Sequence, residues 1–292
     1  MFDPLVMTLL AVLGLLFGSF AGATVWRLRA RQLVADKKAG EAVDAKELKQ
    51  LKPLAHQKVL KDRSRCLSCG YTLRWYDLIP IVSWLSLKGR CRSCRKPIGR
   101  MEPLLEVGMA VFFVASYIFW PFLLTTPLEV AFLAVWLLAG VGLIILFAYD
   151  AKWYLLPNSV TFTVVALGVV SVVLRGFMIG NWESILFNTL GAVGVLSGIY
   201  LVLYLVSKGR WIGFGDIKLG LALGLLLADW QLALLALFAA NLLGCLVVIP
   251  FLLTKKLSRT SQVPFGPFLI IGMIVTQLFG WYLLEWTALG VI

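Results

Sequence analysis

Two aspartates stand beside apolar segments, where a carboxylate can do chemistry. Asp150 directly follows the uncharged run 130–149, and Asp216 opens a short apolar segment further along the chain. An ionisable residue within a membrane is costly and is therefore a candidate functional residue. Two carboxylates in one pocket do not both ionise easily, so one holds a proton while the other acts as a base. Such a pair can activate water against a peptide carbonyl.

Two other interpretations of these aspartates stay open. Each can be an interfacial residue paired with a neighbouring lysine, Lys152 for Asp150 and Lys218 for Asp216, because structural ion pairs also place carboxylates at such positions. The two aspartates can also line a proton or cation pathway. The chain would then be a proton-coupled membrane transporter with a zinc-bearing regulatory loop.

Glycines surround Asp216 in a way that is unusual for a membrane segment. Gly213 and Gly215 permit an irregular backbone, which a membrane tolerates only beside protein or a water-filled cavity. If Asp229 marks the outer interface, Asp216 lies about 20 Å further in, short of a full crossing of ~30 Å. We therefore expect a wet pocket within the cytoplasmic leaflet.

Four of the five cysteines form two Cys-x2-Cys pairs, Cys66 with Cys69 and Cys91 with Cys94. Each pair can direct two thiolates at one tetrahedral ion, so two pairs complete a four-thiolate zinc site. Because sulfur fills every position, the zinc is expected to be structural and to fold a module too small for its own core. A metal-free thiol module, disulfides and another metal are the alternatives. Cys245, alone in an apolar run, is expected to be a packing residue.

Membrane helices must position these residues. Hydrophobic residues make up 60% of the 292 residues and charged residues 14%, against about 45–50% and 25% in soluble domains. A membrane helix needs roughly 17–25 apolar residues. Seven uncharged runs reach that length: 4–26, 107–128, 130–149, 153–174, 184–207, 230–254 and 260–284. With a shorter eighth run at 219–228, the sequence predicts an all-α polytopic membrane protein of about eight transmembrane helices plus a small cytoplasmic zinc-binding module.

The net charge of +12 lies entirely in residues 27–103, which hold 19 Lys and Arg against 7 Asp and Glu. Positively charged loops stay in the cytoplasm, so this charge is a topology signal and no nucleic-acid partner is expected. If the short eighth run crosses, both termini lie outside and Lys255, Lys256 and Arg259 lie inside. Asp150 and Asp216 then share the cytoplasmic side of the bilayer.

Four stretches together resemble one family, the bacterial type IV prepilin leader peptidases, also called prepilin peptidase/N-methyltransferases. The stretches are 17–20 with 27–28, 64–106 with both cysteine pairs, 150 with 156–158, and 213–219 with 264–267. They cover most of the chain in the family's order. The resemblance implies an intramembrane aspartic protease of the GxGD type, with Asp150 and Asp216 as the catalytic pair. Gly213, Gly215 and Lys218 would shape the site.

The resemblance also implies the substrate and its place. It implies cleavage of the basic leader of prepilins or pseudopilins, after a glycine and at the cytoplasmic face of a bacterial inner membrane. Type IV pili and type II secretion are the systems that use such substrates. Many family members then methylate the new N-terminus with S-adenosylmethionine. Departures at Gly22, Leu67 and Met101 fall in the part associated with methylation, so that activity stays open.

We divide the chain into three parts on these grounds. Residues 1–26 form the first transmembrane helix. Residues 27–103 form the basic cytoplasmic loop, with the four-cysteine module at 66–99. Residues 104–292 form the membrane-embedded protease domain of about seven helices.

Overall fold

Helices form most of the chain in a computed structural model, which describes residues 3–55, 63–256 and 262–289. Within these ranges no β-strand occurs, and the cysteine module contains two isolated β-bridges. The helices are α1 (Pro4–Lys38), α2 (Ala45–Ala55), α3 (Val82–Ser86), α4 (Met101–Ile118), α5 (Pro127–Trp153), α6 (Asn158–Ile179), α7 (Trp182–Val193), α8 (Ile199–Ser207), α9 (Phe214–Leu227), α10 (Trp230–Leu253) and α11 (Gly266–Leu289). Arg259, used above for topology, lies outside the described residues.

Seven helical segments among the described residues are long and apolar enough to cross a membrane. They correspond one to one with the seven long apolar runs, and α7 and α8 join into one of them through a π-helical turn. The prediction of an all-α polytopic membrane protein is therefore confirmed. The short eighth run forms α9, whose 14 residues span about 21 Å.

The second span begins and ends earlier than its apolar run. The run covers 107–128, whereas α4 covers Met101–Ile118 and includes Glu102 and Glu106 in its first turns. Residues 119–126 are apolar enough to extend the run but form a loop. The loop ends at Thr126, the N-cap of α5. Its side chain accepts the backbone N–H of Glu129, and the Glu129 carboxylate accepts the backbone N–H of Thr126. Hydropathy therefore locates the apolar stretch but does not predict the residues at which the helix begins and ends.

The chain divides into two compact units, Met1–Val114 and Ala115–Ile292. In the first unit, the C-terminal part of α1 packs against α2, and leucines from both helices form a buried cluster. The same unit contains the cysteine module and most of α4.

In the second unit, α9 lies among longer helices and packs on α6, α7 and the π-helical turn. Gly220 allows this packing, since a Cβ there would overlap the backbone carbonyl of Leu196. At the far end of α9, Nη1 of Arg175 donates to the carbonyl oxygen of Leu227 at 2.9 Å. Although α9 is too short to cross a bilayer, a backbone carbonyl at its C-terminal end is therefore hydrogen-bonded by protein and is not left unpaired in lipid.

Candidate active site

Asp150 and Asp216 lie in the same region of the second unit. Asp150 is in the last turn of α5 and is only 6% exposed. The helix ends directly after Trp153, where Tyr154 adopts a left-handed conformation. Asp216 is in the first turn of α9, where the helix dipole favours a carboxylate, and it is half-buried. The two carboxylates are close enough for their charges to interact. One buried and one partly accessible carboxylate suit a site that admits water.

The segment before α11 holds Asp150 directly. The backbone N–H of Gly266 donates to Oδ2 of Asp150 at 3.0 Å. A Cβ at position 266 would lie 2.6 Å from that oxygen and 3.5 Å from the side chain of Leu219 on α9. Gly266 therefore brings the start of α11 against both aspartate-bearing helices. Sequence reasoning noted the 264–267 motif in the resemblance but did not place Gly266 in the site.

The residues expected to shape the site lie around the start of α9. Gly213 is the N-cap of α9, and its carbonyl accepts the N–H of Asp216 at 3.2 Å. Gly215 faces the segment after α5, because a Cβ there would lie 3.2 Å from Cδ1 of Leu156. Gly215 therefore allows the segment after α5 to pack closely on the start of α9, and a Cβ at Gly213 would lie 3.7 Å from Oδ2 of Asp216, an ordinary contact.

Lys218 points to a different partner from the one considered above. Its Nζ donates to Oδ1 of Asn158 at 2.8 Å, at the start of α6. The ammonium also lies 4.9 Å from the ring centroid of Phe214. Among the described residues Asp216 makes no ion pair within 4.0 Å, so pairing with Lys218 does not account for this carboxylate. Asn158 is a further residue that sequence reasoning left out of the site, and only its place in the resemblance could have indicated it.

The four cysteines meet in the first unit. Their sulfur atoms all lie within 4.8 Å of one another. Sγ of Cys66 is 3.9 Å from that of Cys94, and Sγ of Cys69 is 4.0 Å from that of Cys91. These separations fit a tetrahedral ion with bonds of about 2.3 Å, whose sulfurs would be about 3.8 Å apart. All four thiols are free, so the alternative of disulfides does not describe this arrangement.

Two equivalent turns present these thiols. In each turn the first cysteine exchanges backbone hydrogen bonds with residues four and five positions later, and Gly70 and Arg95 supply the positive φ that this reversal needs. Burial raises the pKa of the Cys66 thiol to about 12. Burial acts in the same sense on Cys91, but backbone N–H groups of Cys94 and Ser93 lower its pKa to about 7.

An ion pair between the two turns supports the module. Nε of Arg92 donates to Oδ1 of Asp77 at 2.7 Å, and the Asp77 side chain is only 3% exposed. This hydrogen bond raises the pKa of Arg92. The other oxygen of Asp77 accepts the backbone N–H of Arg74 at 3.1 Å. The segment between the cysteine pairs is thus tied to the second pair.

Comparison with known proteins identifies both parts of the chain. Residues 12–120 match the model of the bacterial peptidase A24 N-terminal domain, and residues 134–249 match that of the type IV leader peptidase family. No solved structure matches the chain.

Curated relatives are similar over nearly the whole length. A prepilin leader peptidase/N-methyltransferase of Pseudomonas aeruginosa is 30% identical over 97% of this chain and 91% of its own. The protein of the same name from Pseudomonas putida is 31% identical over 94% and 90%. A type 4 prepilin-like proteins leader peptide-processing enzyme of Escherichia coli is 31% identical over 94% of each. The chain therefore belongs to the type IV leader peptidase family and is a multi-pass membrane peptidase.

Proposed function

We propose that this protein is a membrane-embedded aspartic endopeptidase that removes the N-terminal leader of prepilins or pseudopilins. The observation that carries the proposal is that Gly266 packs against both Asp150 at the end of α5 and Leu219 near the start of α9, three residues after Asp216. The relatives supply the substrate class, because they are named for the prepilin leader. Leaders of this class would enter beside Gly213, an exposed residue whose missing side chain leaves room for a peptide backbone near Asp216.

The two carboxyl groups divide the proton transfers. The ionised carboxylate takes a proton from water as the water oxygen bonds to the scissile carbonyl carbon, and the carbonyl π electrons move onto its oxygen. The protonated carboxyl then gives its proton to the leaving amine as the C–N bond breaks. The reaction consumes one water and leaves the pair with one proton, as at the start. The hydrogen bond from the Gly266 N–H fixes the position of the Asp150 carboxyl group.

Cleavage at the cytoplasmic face of a bacterial inner membrane follows from charge. The whole excess of +12 lies in residues 27–103, and positively charged segments stay on the cytoplasmic side. That segment precedes the second span, so an odd number of crossings separates it from the N-terminus. The spans that follow return Asp150 and Asp216 to the same face.

Zinc is the metal that we assign to the cysteine module. Four thiolates in a tetrahedron are the ligand set of structural zinc sites. All four positions are filled by Cys66, Cys69, Cys91 and Cys94, so the ion would fold the module and would not bind substrate.

Methylation of the new N-terminus is a second candidate function, favoured by an orphaned carboxylate oxygen in the first unit. Oε1 of Glu102 accepts a hydrogen bond from the indole of Trp26 at 2.9 Å. Oε2 is buried and has no partner among the described residues. A cationic group fits that oxygen, and S-adenosylmethionine supplies a methyl group on a positively charged sulfonium. Glu102, with Glu106 one turn further along α4, would hold this cofactor or the amine that it methylates.

Cleavage by purified protein in nanodiscs tests the peptidase. Asp150→Asn and Asp216→Asn should each abolish release of the leader from an added prepilin, because neither variant keeps both a base and an acid. Asp229→Asn is the matched control, since Asp229 caps α10, at the opposite end of α9 from Asp216, and asparagine caps equally well. Normal cleavage by either of the first two variants would contradict the proposal.

A further inference from the structure

Tyr200, in the first turn of α8, has a buried hydroxyl without a hydrogen-bond partner among the described residues. The residue is 6% exposed. Buried hydroxyls are almost always paired in folded proteins, so an orphaned one needs an explanation. A phenol is a strong neutral donor, and a partner that arrives with the substrate would satisfy it.

The surroundings of Tyr200 are those of the aspartate pair. Its ring lies edge-on to Phe265 with 5.7 Å between centroids. Phe265 immediately precedes Gly266, whose N–H holds Asp150. The charge of Asp216 acts on the Tyr200 hydroxyl as well. The Tyr200 ring therefore packs on the residue next to the one that holds Asp150, and its hydroxyl lies within electrostatic range of Asp216.

A π-helical turn lies close to this residue in the chain. Residues Gly194–Gly198 form the turn between α7 and α8, and Tyr200 follows two positions after it. Such turns shift the helical register by one residue and are frequent at functional sites. Oγ of Ser197 in this turn donates to the carbonyl of Ile217, the residue after Asp216, at 2.9 Å. The turn thus fixes the start of α8 against the start of α9.

We propose that Tyr200 is a third catalytic residue, whose hydroxyl donates a hydrogen bond to the scissile carbonyl oxygen. The inference rests on the proposed peptidase function. As the water oxygen bonds to the carbonyl carbon, the π electrons collect on this oxygen, while both carboxyl groups are engaged in proton transfer. The phenol stabilises that charge and keeps its own proton throughout, so the proton balance of the carboxyl pair is unchanged.

Kinetics of Tyr200→Phe test the proposal, with Tyr204→Phe as the matched control. Tyr204 lies on the same helix and its ring packs on Phe214 at 5.7 Å, so the control removes a phenol hydroxyl nearby. We expect Tyr200→Phe to lower kcat for prepilin cleavage about 10²–10³-fold, as the loss of one oxyanion donor does elsewhere. KM should stay within about twofold, and Tyr204→Phe should stay within about threefold of the unchanged protein. A kcat for Tyr200→Phe within threefold of the unchanged protein would overturn the assignment.

A binding measurement separates catalysis from structure. The Asp216→Asn background allows an uncleaved prepilin to be titrated against nanodiscs with and without Tyr200→Phe. The proposal predicts equal affinity for the intact prepilin. For a hydroxyl-bearing peptide mimic of the tetrahedral intermediate, added to protein with both aspartates, it predicts weaker binding by Tyr200→Phe. Loss of prepilin binding would make Tyr200 structural and overturn the proposal. Cleavage by Asp150→Asn would instead contradict the peptidase proposal itself.

Discussion

Replacing Gly266 by alanine perturbs Asp150 by a single carbon atom. The new Cβ would lie 2.6 Å from Oδ2 of Asp150, whereas ordinary contact begins at 3.4 Å. The backbone at this position does not have a positive φ, so alanine introduces no backbone strain. Space beside the carboxylate is therefore the property that the substitution removes.

The size of the effect follows from the distance between the new Cβ and Oδ2 of Asp150, which is about 0.8 Å shorter than an ordinary contact. Oδ2 must move away, and the 3.0 Å hydrogen bond from the Gly266 N–H weakens as it does. A misplacement of about 1 Å in a catalytic group costs about 10²-fold in rate. Complete loss of a hydrogen bond to a charged group costs about 1.5–3 kcal/mol. We expect kcat for Gly266→Ala to fall about 10²-fold or more, with KM changed little.

The assay is leader cleavage by purified protein in nanodiscs, followed by separation of precursor and product. Gly244→Ala is the matched control, because a Cβ there would meet only the Phe268 ring at 3.8 Å, an ordinary contact. That variant should cleave at the normal rate. If Gly266→Ala retains kcat within about threefold of the control, the hydrogen bond and close packing at Asp150 do not position a catalytic group.

Three further substitutions test other parts of the site. Cys66→Ser should reduce bound zinc from about one ion per chain to a trace in elemental analysis, whereas Cys245→Ser should leave the zinc content unchanged; equal zinc in both would refute the metal assignment. Asp77→Asn removes the ion pair with Arg92, which is half-exposed, so release of zinc to a chelator should be about fivefold faster; an unchanged rate would show that the ion pair does not stabilise the module. Asn158→Ala removes the hydrogen-bond acceptor of the Lys218 ammonium in the first turn of α9. Because this hydrogen bond lies at an exposed site, we expect only a modest fall in kcat/KM, about fivefold. Full activity would show that Lys218 does not contribute to the site.

The helices and the two aspartates follow from the sequence because their signals are local. A run of some twenty apolar residues can only be a membrane helix, and the carboxylates at 150 and 216 stand out against such runs. The cysteine pairs are equally local, since each needs only a turn of four residues. Charge asymmetry predicts the side on which the loops lie, and it too is a property of the sequence alone.

The contacts of the aspartates could not be predicted in the same way. Gly266 and Asp150 are 116 positions apart, and only the packed helices bring them together. In the sequence, nothing distinguishes Tyr200 from other aromatic residues of the apolar runs, because the π-helical turn before it is visible only in the structure. The start of α4 was also missed, because Glu102 and Glu106 interrupt the hydropathy but not the helix.

Mass spectrometry of the N-terminus of a co-expressed prepilin tests the central claim most directly. With the unchanged protein, we predict a pilin that begins immediately after the leader glycine, and a mass increase of one methyl group would report the second activity in the same spectrum. With Asp150→Asn or Asp216→Asn, inserted in the membrane at normal levels, we predict only the full-length precursor. A mature N-terminus produced by either variant would contradict the assignment of these two carboxylates as the catalytic pair.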